Sequence, residues 1–452
     1  MFKERIDKER DEIVNDLLHI MNINTSRSIK KPNMPFGEGP LMGLKYILDK
    51  GSQLQFKYQN YCGYCGMIEA GNGPYTVGVM CNIDTVSDYP CKVEGNIIYG
   101  PGAVGGKGAA IACLYAMKIL SQEGCIPDGK KVRMIVLSDK ETGYKGINYY
   151  KEYEEAPEIG FVTDGTFPVI YGEKGTVTFD LEMKFDTYFD APVNVVEISG
   201  GESGDTVPDS VNIILSCEEI FRDRIGDELK EFCERENLEY SIFSQNKLIS
   251  IELKGKKAPG YEPEKGKNAV SYGIKFLSQI IDYIDRKKFV AEYSRVIGTN
   301  YYCEGFEKEF SDEDSGRTTF NVGKINLIND RVTLSIDVRF PISAVYSDVL
   351  ESIKDEFKYS AFEITNLSHM RPVSFSEDSF VVKKLMRVYN EVTGDESAMP
   401  YVTYGTSYAR TLSNMVSFGP YRRDITDADS ITIDYLLELT EIYTKAIYEL
   451  LK

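Results

Sequence analysis

Histidine is the scarcest chemistry-bearing residue in this chain of 452 residues, with only His19 and His369. A site built on three imidazoles is therefore excluded. Bases are also outnumbered, 52 Lys and Arg against 70 Asp and Glu, for a net charge of −18. That balance argues against nucleic acid as a partner, because such affinity rests on clustered Lys and Arg neutralising phosphates. No run approaches the roughly 20 apolar residues needed to span a bilayer, so no membrane role is expected. The stretch Met1-Phe-Lys-Glu-Arg-Ile-Asp-Lys-Glu-Arg10 is charged and lacks the apolar core of a secretion signal, which points to a cytoplasmic location. Nine cysteines suit reduced thiols in that compartment better than a disulfide framework. Cys62-Gly-Tyr-Cys65 is a lone Cys-x-x-Cys with no second pair at zinc-ribbon spacing, and reads first as strand and turn.

What is present is an ordinary globular composition, 42% hydrophobic and 27% charged, in a chain long enough for two or three domains. Apolar residues at helical spacing predict helices over 3–22, 39–50 and 107–121. Strand-like runs lie at 53–58, 65–69, 75–83, Val93–Tyr99, Lys131–Leu137 and Glu158–Val162. Strands alternating with helices predict an α/β fold with a mainly parallel central sheet. Near Gly175 the texture changes to longer alternating strands (Thr176–Lys184, Leu248–Leu253, Arg331–Phe340), with helices at about 217–235, 267–284 and 343–357. The helical pattern resumes near 378 and closes with Ile433–Leu450. The expected architecture is one discontinuous α/β domain, 1–174 with 375–452, interrupted by an inserted α+β domain, 175–374.

The organising stretch is Val77-Gly-Val-Met-Cys-Asn-Ile-Asp-Thr-Val86, a buried strand ending in Asn82-Ile-Asp84. Residues at i and i+2 on a strand face the same way, and open α/β sheets place sites at the C-terminal ends of such strands. Three of these ends carry acids: Asp84, Glu141 and Asp164. Convergent carboxylates there suggest a divalent metal site or an acid/base pair; each taken singly reads first as a cap or turn residue. Gly100-Pro-Gly-Ala-Val-Gly105 formally matches the dinucleotide fingerprint, but no acid-tipped strand follows at the required distance.

Together these residues resemble the dinuclear-zinc metallopeptidases that include aminoacylase, succinyl-diaminopimelate desuccinylase and carboxypeptidase G, above all the PepV-type dipeptidase branch. Asn82-Ile-Asp84 stands where that family has His-x-Asp. Tyr99-Gly-Pro-Gly-Ala-Val-Gly-Gly-Lys-Gly108 stands at its Tyr-Gly-Arg-Gly-x-x-Asp-Asp-Lys-Gly turn, and Asp139-Lys-Glu-Thr-Gly143 at Asp-Glu-Glu-Ser-Gly. Phe167-Pro-Val-Ile-Tyr-Gly-Glu-Lys-Gly175, Pro263-Glu-Lys-Gly266, Val338-Arg-Phe-Pro341, Tyr408-Ala-Arg410 and Phe418-Gly-Pro420 continue the likeness nearly end to end. The resemblance implies a zinc-peptidase-like α/β catalytic domain with an inserted lid, and hydrolysis of dipeptides or amides.

The same resemblance implies a defective centre. The family's metal positions fall on Asn82, Gly105, Glu141, Asp164 and Ile425, so only Glu141 and Asp164 keep ligand chemistry. The general base position holds Lys140, and the inserted-domain histidine position holds Pro259. Asp84, which orients a metal-bound histidine in the family, has none to orient. Substrate positions carried over are Arg339, suited to a carboxylate, Gly405 and Ser407 of the Gly405-Thr-Ser-Tyr-Ala-Arg410 loop, and Asp205. The leading expectation is an inactive homologue that needs no metal and binds a small peptide or carboxylate, a monomer being the simplest state. The alternative is a working metallodipeptidase or deacylase with one zinc or manganese on Glu141, Asp164 and Asp84.

Overall fold

The computed structural model describes residues 2–140, 143–185, 191–422 and 427–452. The chain forms two compact units, Met1–Gly172 with Val373–Lys452, and Glu173–Pro372.

The first unit is built on a nine-stranded sheet. At its centre, strands Lys130–Leu137, Tyr75–Asn82, Ile159–Val162 and Met415–Ser417 lie side by side and run parallel. Lys57–Tyr61 and Cys65–Gly71 extend one side in antiparallel fashion. The central strands read as continuous apolar runs because both faces are covered. Val77, Val79 and Cys81 share one core with Ile111 and Leu114 of helix Lys107–Gln122, Leu439 and Ile442 of helix Ile433–Leu451, and Ile13 and Leu17 of helix Lys3–Met21. Met80 points the other way, into a smaller cluster with Ile135, Val162, Ile147 and Met415. That alternation puts Asn82 and Asp84 on the Met80 side. Gly78 faces Gly160 across the ladder. A side chain at 78 would collide with Pro157, and one at 160 with the Gly78 backbone.

Two expected strands are corrected. Val93–Tyr99 is a hairpin, Lys92–Glu94 paired with Ile97–Tyr99, because Gly95 takes φ +61 and Gly95-Asn96 closes a two-residue turn. Its second strand pairs with Ser430–Thr432, which brings Asp429 to the glycine-rich turn. Of the run expected as a 53–58 strand, Gln53 ends helix Glu38–Gln53, 54–56 turn out of it, and the strand proper is Lys57–Tyr61.

The second unit is an eight-stranded antiparallel sheet in the order Glu239–Gln245, Leu248–Lys254, Ser210–Cys217, Val193–Gly200, Thr319–Ile328, Arg331–Phe340, Gly175–Lys184, Glu363–Met370. Helices Glu219–Glu236, Ala269–Gln279, Lys287–Val296 and Tyr346–Phe357 share a core with it. The single helix expected over 267–284 stops at Gln279, and Lys287–Val296 is a separate helix. Asn268 starts the first by accepting from the Ser271 N–H at 3.1 Å, and its own amide donates to the Val322 carbonyl at 2.8 Å.

Both histidines lie in aromatic stacks. His19 packs on Tyr46 with ring centroids 4.4 Å apart, and His369 on Tyr346 at 3.8 Å. Among the described residues no helix is long and apolar enough to cross a membrane.

Candidate functional site

Parallel strands present all their C-terminal ends at one sheet edge, and three of those ends converge. Tyr75–Asn82 runs out through Asn82 to Asp84, with the Asn82 amide 3.5 Å from the Asp84 carboxylate. Lys130–Leu137 is followed by Asp139 and Lys140, and Ile159–Val162 by Asp164. Helix Lys107–Gln122 begins at the same edge, where Gly106 takes φ +64 to turn the chain into it. Asn82, Asp84, Gly105, Lys140 and Asp164 thus line one cavity of about 230 Å³, shared with Tyr421 and Asp429. Glu141 and Ile425 lie outside the described residues.

The carboxylates here are buried, so each requires a partner. Asp164 accepts from the Tyr408 N–H at 3.3 Å on one oxygen, and its other oxygen is ion-paired with the Lys140 ammonium. Asp139 is wholly buried. It accepts from the Gly146 N–H at 2.9 Å and from the Tyr408 hydroxyl at 3.2 Å. Burial raises the Asp139 carboxyl above the usual range and nearby Asp84 adds to this, while the Gly146 N–H opposes it. The Tyr408 phenol is raised too, first by burial and then by Asp139, Asp84 and Asp164. It is a donor that ties two strand ends together, not a base. Asp429 accepts from Tyr89 at 2.8 Å and from the Gly102 N–H at 3.3 Å, which pins the glycine-rich turn.

Gly105 has no side chain, and the space one would need is already filled: a Cβ there would run into the hydroxyl of Tyr421. That tyrosine is placed by Pro420–Tyr421 pairing in parallel with Gly165–Thr166, just beyond Asp164. In the neighbouring loop, the Gly405 N–H donates to the Thr403 hydroxyl at 3.2 Å. Ser407 is buried, and its oxygen accepts from the Ala409 N–H at 3.0 Å to cap the short Tyr408–Thr411 turn. Ser407 therefore spends its oxygen on the fold, and through Tyr408 this loop is tied to Asp164.

Arg339 and Asp205 belong to the second unit. On strand Arg331–Phe340, Arg339 and Asp337 face the same way and form a buried fork, Nε to Oδ1 at 2.6 Å and Nη2 to Oδ2 at 2.9 Å. Of the guanidinium nitrogens, Nη1 has no hydrogen-bond partner among the described residues. Asp205 accepts from the Ser203 hydroxyl at 2.5 Å, and its carbonyl accepts from the Gly260 N–H at 2.6 Å. The next residue, Thr206, pairs with Pro259. Asp205 and Pro259, distant in sequence, are thus neighbours. Sequence reasoning assigned no role to Tyr408, Tyr421, Asp139 or Asp429. Tyr408, Tyr421 and Asp139 do sit in or beside quoted motifs, which is the only signal they carry.

The sequence matches the pattern described as "Peptidase family M20/M25/M40" over residues 78–449. The chain belongs to this family. A protein of Staphylococcus aureus strain MRSA252 named "Putative dipeptidase" is 30% identical over 470 aligned residues, covering 100% of this chain and 99% of its own. Human carnosine dipeptidase 1 superposes with a TM-score of 0.55 at 14% identity, covering 100% of this chain and 99% of its own. Aminopeptidase PepT from Bacillus cereus ATCC 10987 superposes with a TM-score of 0.56 at 14% identity, covering 98% and 99%. At that identity the likeness is one of fold, and it confirms the α/β architecture read from the sequence.

Whether an M20 two-metal centre suits these residues is a question of donors and space. Zinc takes thiolate, imidazole or carboxylate ligands. At the family's positions stand the amide of Asn82, the bare Gly105 with the Tyr421 phenol over it, and, in place of the base, an ammonium already paired with Asp164. Among the described residues no three His, Cys, Asp or Glu side chains converge as a metal site would require. Among the described residues, which leave out Glu141, this donor set does not fit a pair of metal ions.

Proposed function

We propose that this M20-family chain is a non-hydrolytic homologue that keeps the peptidase scaffold to bind a small peptide or amino-acid-like carboxylate. One observation carries the reading: the Lys140 ammonium is ion-paired with Asp164, at the position where the family resemblance puts a water-activating carboxylate. Held this way, Lys140 has no lone pair with which to take a proton from water. Its charge offsets the mutual repulsion of Asp84, Asp139 and Asp164, a task that metal cations would otherwise perform. The Tyr421 hydroxyl over Gly105 supports the same reading, since it fills the place of a bridging ligand. For ligand contact, the Arg339 Nη1 group in the second unit is a buried donor without a hydrogen-bond partner among the described residues, a demand that a carboxylate would meet.

The test is metal content by elemental analysis after dialysis against zinc and against manganese, with dipeptide cleavage assayed before and after chelation. The expected result is no stoichiometric metal and no cleavage, with dipeptides still detectable as ligands by calorimetry. Near-stoichiometric metal together with cleavage that chelation abolishes overturns the proposal in favour of a reduced metal site.

A further inference from the structure

Buried polar atoms that find no partner are rare in folded chains, and each asks what would satisfy it. Among the described residues nine side-chain atoms are in this position, and three of them stand on one row of the second unit's sheet: Thr176 Oγ1, Arg339 Nη1 and Thr319 Oγ1. Arg339 lies directly opposite Thr176 on strand Gly175–Lys184 and directly opposite Thr319 on strand Thr319–Ile328. Directly opposed side chains share a face, with Cβ atoms about 4.5–5.5 Å apart. That face is turned away from the helices, since the chain neighbours Val177, Phe320 and Val338 sit in the helix-packed core. The row is nevertheless buried, with Thr176 5%, Thr319 3% and Arg339 7% exposed. The loop at 204–206 crosses the next row, where the Gly204 and Thr206 carbonyls accept from the Asn321 amide at 2.7 and 3.1 Å.

Asp337 already takes the Nε and Nη2 edge of Arg339, the kind of edge that grips a planar carboxylate as a fork. What remains is a single nitrogen with a hydroxyl on either side, donors that approach from different directions. A planar carboxylate keeps its oxygens in one plane, whereas a tetrahedral oxyanion spreads them in space. We propose that Thr176, Arg339 and Thr319 form a cradle for a tetrahedral oxyanion, either inorganic phosphate or the phosphate of a small ester. This goes beyond the carboxylate reading, which draws on Nη1 alone. Lys174 is a second cation close by: burial lowers it, Asp312 and Glu264 oppose that, and the Arg339 charge lowers it further. An anion on the row relieves that repulsion. With Asp337 paired to Arg339 and Asp312 near Lys174, little net positive charge is left over, so the cradle holds its ion through directed hydrogen bonds.

Isothermal titration calorimetry of the full chain with inorganic phosphate, at constant ionic strength, is expected to show one saturable site. Sulfate should displace phosphate from it, and acetate should not. O-phosphoserine binding more tightly than inorganic phosphate supports an ester as the source, and the reverse order supports the free ion. Thr176→Val combined with Thr319→Val keeps the shape of both side chains and removes both hydroxyls. The double variant is expected to weaken phosphate binding more than about tenfold. Its phosphate-free melting temperature should hold or rise, because two buried hydroxyls without partners are gone. Hydroxyls with a purely structural role would give the opposite pair of results. The competition with sulfate and acetate uses the unaltered chain and so stands apart from how the variant folds. Three results overturn the proposal: no saturable phosphate binding, acetate displacing phosphate as readily as sulfate does, or a double variant that binds phosphate as the parent does. Metal content and peptide cleavage, which decide the non-hydrolytic reading, enter none of these measurements.

Discussion

Replacing Lys140 by Met keeps a long apolar stem and removes one positive charge, so it isolates what the ammonium contributes. The Asp164 side chain is 2% exposed and that of Lys140 is 26% exposed. Stripping one partner from a fully buried ion pair costs about 3–5 kcal/mol, because the remaining charge is left unpaired in a poorly polarisable setting. Here solvent reaches the lysine, and the Tyr408 N–H still serves one Asp164 oxygen. A loss of about 2 kcal/mol is therefore expected, or a fall of roughly 4–8 °C in melting temperature for a unit of this size. Acidification protonates carboxylates that have lost their counter-charge, so the difference from wild type should shrink between neutral and mildly acidic pH. Thermal melts followed by circular dichroism at both pH values measure this, with Lys140→Arg as the charge-retaining control. An unchanged or raised melting temperature for Lys140→Met at neutral pH would refute the idea that the ammonium stands in for metal charge.

Gly105→Asp restores a carboxylate at the family's bridging position but drives it into Tyr421, and overpacking of this kind costs about 1–3 kcal/mol. In a Tyr421→Ala background the cost should largely vanish; strictly additive stabilities in a double-mutant cycle would show that the two positions do not compete for the same space. Asp337→Ala leaves the buried Arg339 fork without its carboxylate and should lose about 3–5 kcal/mol in chemical denaturation, with Asp337→Asn less affected. Lys174 is buried, donates to the Arg317 carbonyl, and is lowered to about 8, mainly by burial. Above that value the folded chain has released the proton that the unfolded chain still holds, so stability should rise from about pH 8 to 10, by up to about 3 kcal/mol. Lys174→Met should flatten that rise relative to wild type; an identical pH profile in the two proteins would refute the assignment.

Much of the fold is legible in the sequence because it is local and periodic. Val77–Cys81 reads as a strand because consecutive apolar residues survive only where both faces are covered, and helix 107–122 reads as a helix because its apolar residues recur all round it. Punctuation was less legible. Gly95-Asn96 breaks what reads as one strand into a hairpin, and the stop at Gln279 divides one expected helix into two. In the candidate site, Asp84 and Asp164 were legible because strand ends of a parallel sheet must meet at one edge, and Lys140 only through the family resemblance. Their pairing was not, since two oppositely charged residues on different strands carry no local sign of touching.

The sequence alone determined that this chain has the M20 pattern and that its two histidines cannot supply the family's three. Both are matters of residue identity and order, and no arrangement in space can alter them. Only the tertiary structure decided what fills the gaps. It set the Tyr421 hydroxyl over Gly105, the Lys140 ammonium on Asp164, the Tyr408 phenol between strand ends, and Asp337 on Arg339. The physical reason is burial. Polar groups brought together out of water must each find a partner, and for all but the Asp337–Arg339 pair that partner comes from a strand or loop far away along the chain.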